Sequence, residues 1–106
     1  MIAARMDEEA QVVLDVAPDH AAYAGHFPGS PVLPGAVLLD EVLFEIERSR
    51  GIDVTQWRIT SAKFLGPVHP GDELILQHSA PTAGTIRFTI RSARGPVAAG
   101  TLTHGE

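Results

Sequence analysis

The sequence predicts an α+β fold, one apolar-faced helix packed on an antiparallel sheet of about five strands. Three observations carry that prediction. Residues 36–50 show helical periodicity with no internal Gly or Pro and close at Gly51, a good C-cap. Beyond Gly51 the period changes to two, and residues 85–91 alternate apolar and polar without error. Short Gly- and Pro-bearing turns separate the period-two runs, and connections of that length join antiparallel neighbours.

Taken in order, residues 11–16 are short and rich in Val and Leu, and they stop at Ala17-Pro18-Asp19; they predict a first strand. The helix follows the window 25–35, which holds six of the chain's eighteen Gly and Pro residues. A step of 100° per residue places Leu39, Val42, Leu43 and Ile46 on one helix face and Glu41, Glu45 and Arg48 on the other. Arg48 and Arg50 suit the negative end of the helix dipole. The remaining strands are expected at 57–64, 73–78, 85–91 and 97–103. In the third of these, Ile86, Phe88 and Ile90 point one way and Thr85, Arg87, Thr89 and Arg91 the other. A sheet of this size on one helix leaves an edge open, so a homodimer is expected.

At 106 residues, a chain buries about 65% of its unfolded surface, enough for one small core and not for two domains. Residues 1–106 are therefore expected to form one unit. The 44% hydrophobic and 20% charged composition is that of a globular domain and argues against disorder. The net charge of −5, with no block of Lys or Arg, argues against nucleic acid as a partner. No apolar run reaches membrane-spanning length. Cysteine is absent, and the N-terminus turns acidic at once without an apolar signal region. A cytoplasmic location is the expectation.

Chemistry concentrates around the Gly/Pro window. His26 is its one ionisable residue, and a Pro-punctuated loop can hold the imidazole in a fixed orientation as a general base. It could equally cap turn carbonyls, and position alone leaves both open. Asp40 sits between Ala36 and Phe44 on the helical wheel and near Leu43. Partly apolar surroundings there would favour a protonated form able to donate a proton. The competing reading is a first-turn acid on the helix dipole. Gly35 opens the helix after Pro34, where unpaired backbone N–H groups can face a developing oxyanion. Trp57 and Tyr23 are expected to be core or interface aromatics, though Tyr23, three residues before His26, could line a cleft. Glu41 and Glu47 are expected to be solvated. His20, His69, His78 and His104 lack metal-site spacing and carboxylate neighbours, so they are expected on surfaces or strands, and no metal is assigned.

Read together, Gly25-His26-Phe27-Pro28-Gly29-Ser30-Pro31-Val32-Leu33-Pro34-Gly35 and the following Ala-Val-Leu-Leu-Asp40 closely resemble the active-site motif of the 3-hydroxyacyl-[acyl-carrier-protein] dehydratases of the hotdog fold, the FabZ and FabA families. A second block, Ala62-Lys-Phe-Leu-Gly-Pro67-Val-His-Pro-Gly-Asp72-Glu-Leu, is similar to the family's segment with a Pro-Gly-Asp corner. The resemblance implies a central helix wrapped by a curved antiparallel sheet, and a dimer with active sites at the subunit interface. It implies a catalytic pair of His26 and the Asp40 of the partner subunit, with Asp as in FabA-type enzymes. It also implies a Gly35 amide donating to the thioester oxygen, with Tyr23, Phe27, Pro34 and Phe44 lining the substrate. Two departures stand out. Phe44 occupies the place of a Gln that both families usually have four residues past the carboxylate. The stretch between Arg50 and Trp57 is also much shorter than in typical dehydratases.

The implied reaction is dehydration of a (3R)-hydroxyacyl thioester, on acyl carrier protein or CoA, to the trans-2-enoyl thioester without a cofactor. It would serve fatty-acid, specialised lipid or polyene synthesis. The rival expectations are a hotdog thioesterase, whose helix carboxylate activates water, and a non-catalytic acyl-binding or assembly subunit. Phe44 favours the last of these.

Overall fold

A computed structural model describes residues 9–14, 16 and 33–105. Strand β1 (Ala10–Leu14) precedes helix α1 (Gly35–Arg50), and a 3₁₀ turn (Val54–Gln56) leads into β2 (Trp57–Phe64), β3 (Leu74–His78), β4 (Thr85–Ser92) and β5 (Gly95–His104). Each expected strand is present, with ends moved by at most two residues. The strands form a single antiparallel sheet in the order β1-β3-β4-β5-β2.

Local chemistry explains both helix ends. Pro34 holds extended backbone (φ −61°, ψ 144°), and its carbonyl accepts from the Val37 and Leu38 amides, each at 3.1 Å. At the other end Gly51 takes the left-handed conformation (φ 66°) and donates to the Glu47 carbonyl at 2.9 Å. The face that α1 buries differs from the expected one. Leu38, Val42 and Ile46 form its buried stripe, while Leu39 and Leu43 are half-buried. Glu45, expected in solvent, is buried at 8% exposure; Arg48 pairs with its carboxylate, and the Ser49 hydroxyl donates to it at 3.0 Å. A buried carboxylate needs such partners. Glu41 and Glu47 are partly covered rather than fully solvated, and Glu47 accepts from the Val54 amide at 3.4 Å.

The stripe of α1 packs on the inner face of the sheet, where Ile86, Phe88 and Ile90 are buried as their alternation predicts. Leu74, Leu76 and Leu102 complete the centre. His78 shares the parity of Leu74 and Leu76 and is also fully buried. Arg50, at the end of α1, donates to His78 Nδ1 at 3.1 Å and to its carbonyl at 3.0 Å. Arginine can only donate, so Nδ1 is the acceptor and the ring proton sits on Nε2. That Nε2 is buried with no partner among the described residues.

Strand β2 is an edge, and every residue from Arg58 to Phe64 is exposed, on both strand faces. Helix α1 therefore leaves most of it uncovered. Among the described residues, no helix is long and apolar enough to cross a membrane.

Candidate active site

The two sequence blocks meet at the start of α1. The Leu33 amide donates to the Val68 carbonyl at 2.9 Å, joining the end of the Gly/Pro window to the segment before the Pro-Gly-Asp corner. That corner is itself braced. Asp72 accepts from the His69 amide at 2.8 Å and returns its own amide to the His69 carbonyl at 3.1 Å, with Gly71 at φ 88° completing the turn. Arg94, in the β4–β5 turn, contacts both Asp72 Oδ2 and His69 Nδ1, the latter at 2.7 Å. His69 thus lies 3.8 Å from a carboxylate, contrary to the expectation that it had none nearby. The cluster holds a turn, and among the described residues no group of side chains has the composition to hold a metal ion.

With Val68 fixed in this way, Leu33 is buried and Pro34 delivers the chain into α1. The N-cap residue Pro34 makes no side-chain cap, and the first turn carries no acid. The amides of Gly35 and Ala36 precede the first intrahelical bonds and have no backbone partner among the described residues. The absence of an acid in the first turn also excludes a first-turn role for Asp40. The Gly35 backbone lies against the tip of the Phe64 ring, close enough that a Cβ there would collide with it.

Asp40 is exposed, in line along α1 with exposed Ala36 and with Phe44, which is 64% exposed. The partly apolar surroundings expected for its carboxylate are therefore not supplied by the described residues of one chain. The reason is geometric. The stripe at 36, 40 and 44 lies off the arc that faces the sheet. Phe44 on this stripe is more than half exposed, as are Phe64 and Leu65 at the end of β2. Asp40 and Phe44 lie one turn apart on the exposed face of α1 and Gly35 opens the helix after Pro34, while His26, Tyr23 and Phe27 lie outside the described residues. The grooves lined by described residues lie elsewhere. One of about 360 Å³ lies on the outer sheet face between Leu65, Thr89, Arg91 and Ala99, and another is at the Trp57–His104 end. Trp57 is half-buried against the core and meets the His104 ring edge-on at 5.0 Å.

Phe64 and His78 are the residues that the sequence alone did not single out. For His78 a signal existed, since positions 74, 76 and 78 share one face of a strand. For Phe64 the signal was weak, an aromatic residue just before a turn.

Comparison with known proteins places this arrangement. The profile of the ApeI-like family, described as ApeI dehydratase, matches residues 3–101. The chain belongs to the ApeI-like dehydratase family. Its relatives include 3-hydroxyacyl-[acyl-carrier-protein] dehydratase FabZ of Fusobacterium nucleatum, 35% identical over 78 residues that cover 66% of this chain and 55% of the relative. FabZ of Polynucleobacter necessarius is 32% identical over 87 residues, covering 73% and 58%. The chain thus spans about half the length of the curated relatives it matches. Among solved structures, the dehydratase heterocomplex ApeI:P from Xenorhabdus doucetiae aligns with a TM-score of 0.73 at 23% identity, over 94% of this chain and 89% of that one. The dehydratase domain of the polyketide PpsC from Mycobacterium tuberculosis aligns at 0.70 and 20%, over 92% and 39%. The family member described above has the hotdog fold, one helix wrapped by a five-stranded antiparallel sheet.

Proposed function

We propose that the protein is a hydro-lyase acting on (3R)-hydroxyacyl thioesters carried by acyl carrier protein or CoA. One observation carries the reading: α1 opens at Gly35 directly after the Gly/Pro window, and Asp40 of the same helix stands exposed, open to the site of a second copy. The Gly35 N–H donates to the thioester oxygen and stabilises the negative charge that builds there. His26 removes a proton from C2, and the C2–H electrons form the C2–C3 double bond as the C3–O bond breaks. Asp40 of a second copy donates a proton to the departing hydroxyl, which leaves as water. Each step is an acid–base step, so no cofactor enters.

The second copy docks at the uncovered β2 edge, giving a homodimer in which the apolar side of α1 is closed off. The absence of cysteine fits a reducing, cytoplasmic setting.

Mass spectrometry of a panel of 3-hydroxyacyl carrier-protein thioesters tests the reaction class. Loss of one water from the acyl chain is the expected result; release of the whole acyl group instead identifies a thioesterase. A positioned acid or base contributes about 10²–10⁴ in rate, so His26→Ala and Asp40→Asn should each lose at least about 10² of dehydration. Wild-type turnover by either variant refutes the assignment.

A second reading has its own observation. Phe44 stands exposed one turn beyond Asp40, where the FabZ and FabA resemblance puts a Gln, and a related fold occurs in a dehydratase heterocomplex. A non-catalytic acyl-binding subunit paired with a different dehydratase chain would bind acyl ligand without turnover.

A further inference from the structure

Phe64 is half exposed (51%) and belongs neither to the core nor to the hydrophobic residues packed against it. Its ring nevertheless has a defined seat. A Cβ on Gly35 would stand 2.7 Å from Phe64 Cζ and 2.9 Å from Cε1, well inside van der Waals contact. Phe64 ends β2 opposite Ala98, which is buried, so its side chain has the parity of the helix-facing side. The following amides, Leu65 and Gly66, both donate to the Val97 carbonyl, at 2.8 and 3.2 Å. These bonds pin the backbone, and the ring cannot back away from Gly35 by moving with its strand.

We propose that Phe64 is a specificity-determining residue whose ring closes the space beside Gly35 to acyl thioesters branched at C2. The inference rests on the reading of Gly35 as the thioester oxygen's donor. An oxygen bonded to the Gly35 N–H at about 2.9 Å holds its C2 roughly 4–5 Å from that nitrogen. The ring tip, 2.7 Å from where a Gly35 Cβ would stand, borders this space. A hydrogen on C2 fits against it, and a methyl group does not.

The experiment compares wild type, Phe64→Ala and Phe64→Leu on the pantetheine thioester of 3-hydroxybutyrate and on its 2-methyl analogue, reading kcat/KM for each. Dissociation constants for the two corresponding unreactive amides are measured alongside. One methyl group in a shaped apolar site is worth about 10–200-fold, so wild type should favour the unbranched compound by at least about tenfold, and Phe64→Ala should erase most of that ratio. Phe64→Leu should fall between. An unchanged ratio in the variants overturns the proposal, as does failure of every variant to bind either amide. Should wild type dehydrate neither thioester, the dehydratase reading fails separately, and the amide ratio still decides the role of Phe64. A melting comparison checks the seat itself. Gly35→Ala should lower Tm, and adding Phe64→Ala should restore it; no restoration places the ring elsewhere and overturns the proposal.

Discussion

His78 shows how much one residue can depend on its surroundings. Burial, first, and the Arg50 charge, second, hold its imidazole below the usual histidine pKa, against smaller opposing effects from Glu45, the Ser79 backbone and Glu9. The unfolded chain takes up a proton as pH falls through about 6.5, and the native chain does not until His78 titrates at its lower value. Stability is therefore fully present above about pH 6.5 and declines as pH falls below it. His78→Gln removes this proton uptake, so urea unfolding between pH 5 and 7.5 should give a shallower slope than wild type. Equal slopes would show that the Arg50–His78 contact does not keep the ring neutral. The same residue scale shows what sequence could and could not say about the site. Asp40 was placed correctly between Ala36 and Phe44, yet its exposure depends on where β2 and the sheet lie, which a helical wheel does not contain.

At the scale of elements, sheet packing sets the tightest demands. Gly100 of β5 lies where β4 and β2 close in, and a Cβ there would sit 2.5 Å from both Phe88 Cζ and the Ser61 carbonyl oxygen. The bulge between Ile59 and Ser61 in β2 lies beside the same position. Gly100→Ala should destabilise the protein by about 1–3 kcal/mol through overpacking, measurable by denaturant unfolding. A change below about 0.5 kcal/mol would mean that Phe88 can swing aside. The strands themselves were legible, because period two survives wherever one face is apolar, as at Ile86, Phe88 and Ile90. The helix was equally legible in its limits, yet its buried arc turned toward Leu38 and admitted Glu45. Apolar residues cover more than half of the wheel, so the sequence allows several arcs, and contact with the sheet selects one.

At the scale of the whole molecule, β2 is the unfinished part. An edge strand exposed on both faces, ending at exposed Phe64 and Leu65, leaves unpaired backbone and apolar surface together. On the homodimer reading, light scattering should give twice the chain mass of 11.3 kDa for wild type. Ala62→Lys puts a charge on exposed β2 without touching the core, and it should return the protein to the mass of one chain. A wild-type protein that runs as one chain, and pairs only with a different dehydratase subunit, would favour the heteromeric reading. The two sequence blocks had already suggested the family, since a Gly/Pro window leading into an acid-bearing helix is a local pattern of residue type and spacing. Helix limits, strand phase and the Pro-Gly-Asp turn are local in the same way, and the sequence by itself determined them. The Leu33–Val68 bond, the Phe64 ring on Gly35, the burial of His78 and the open side at Asp40 were decided only by the tertiary structure. Each depends on residues far apart in the chain meeting across the sheet and helix, and no local periodicity encodes such a meeting.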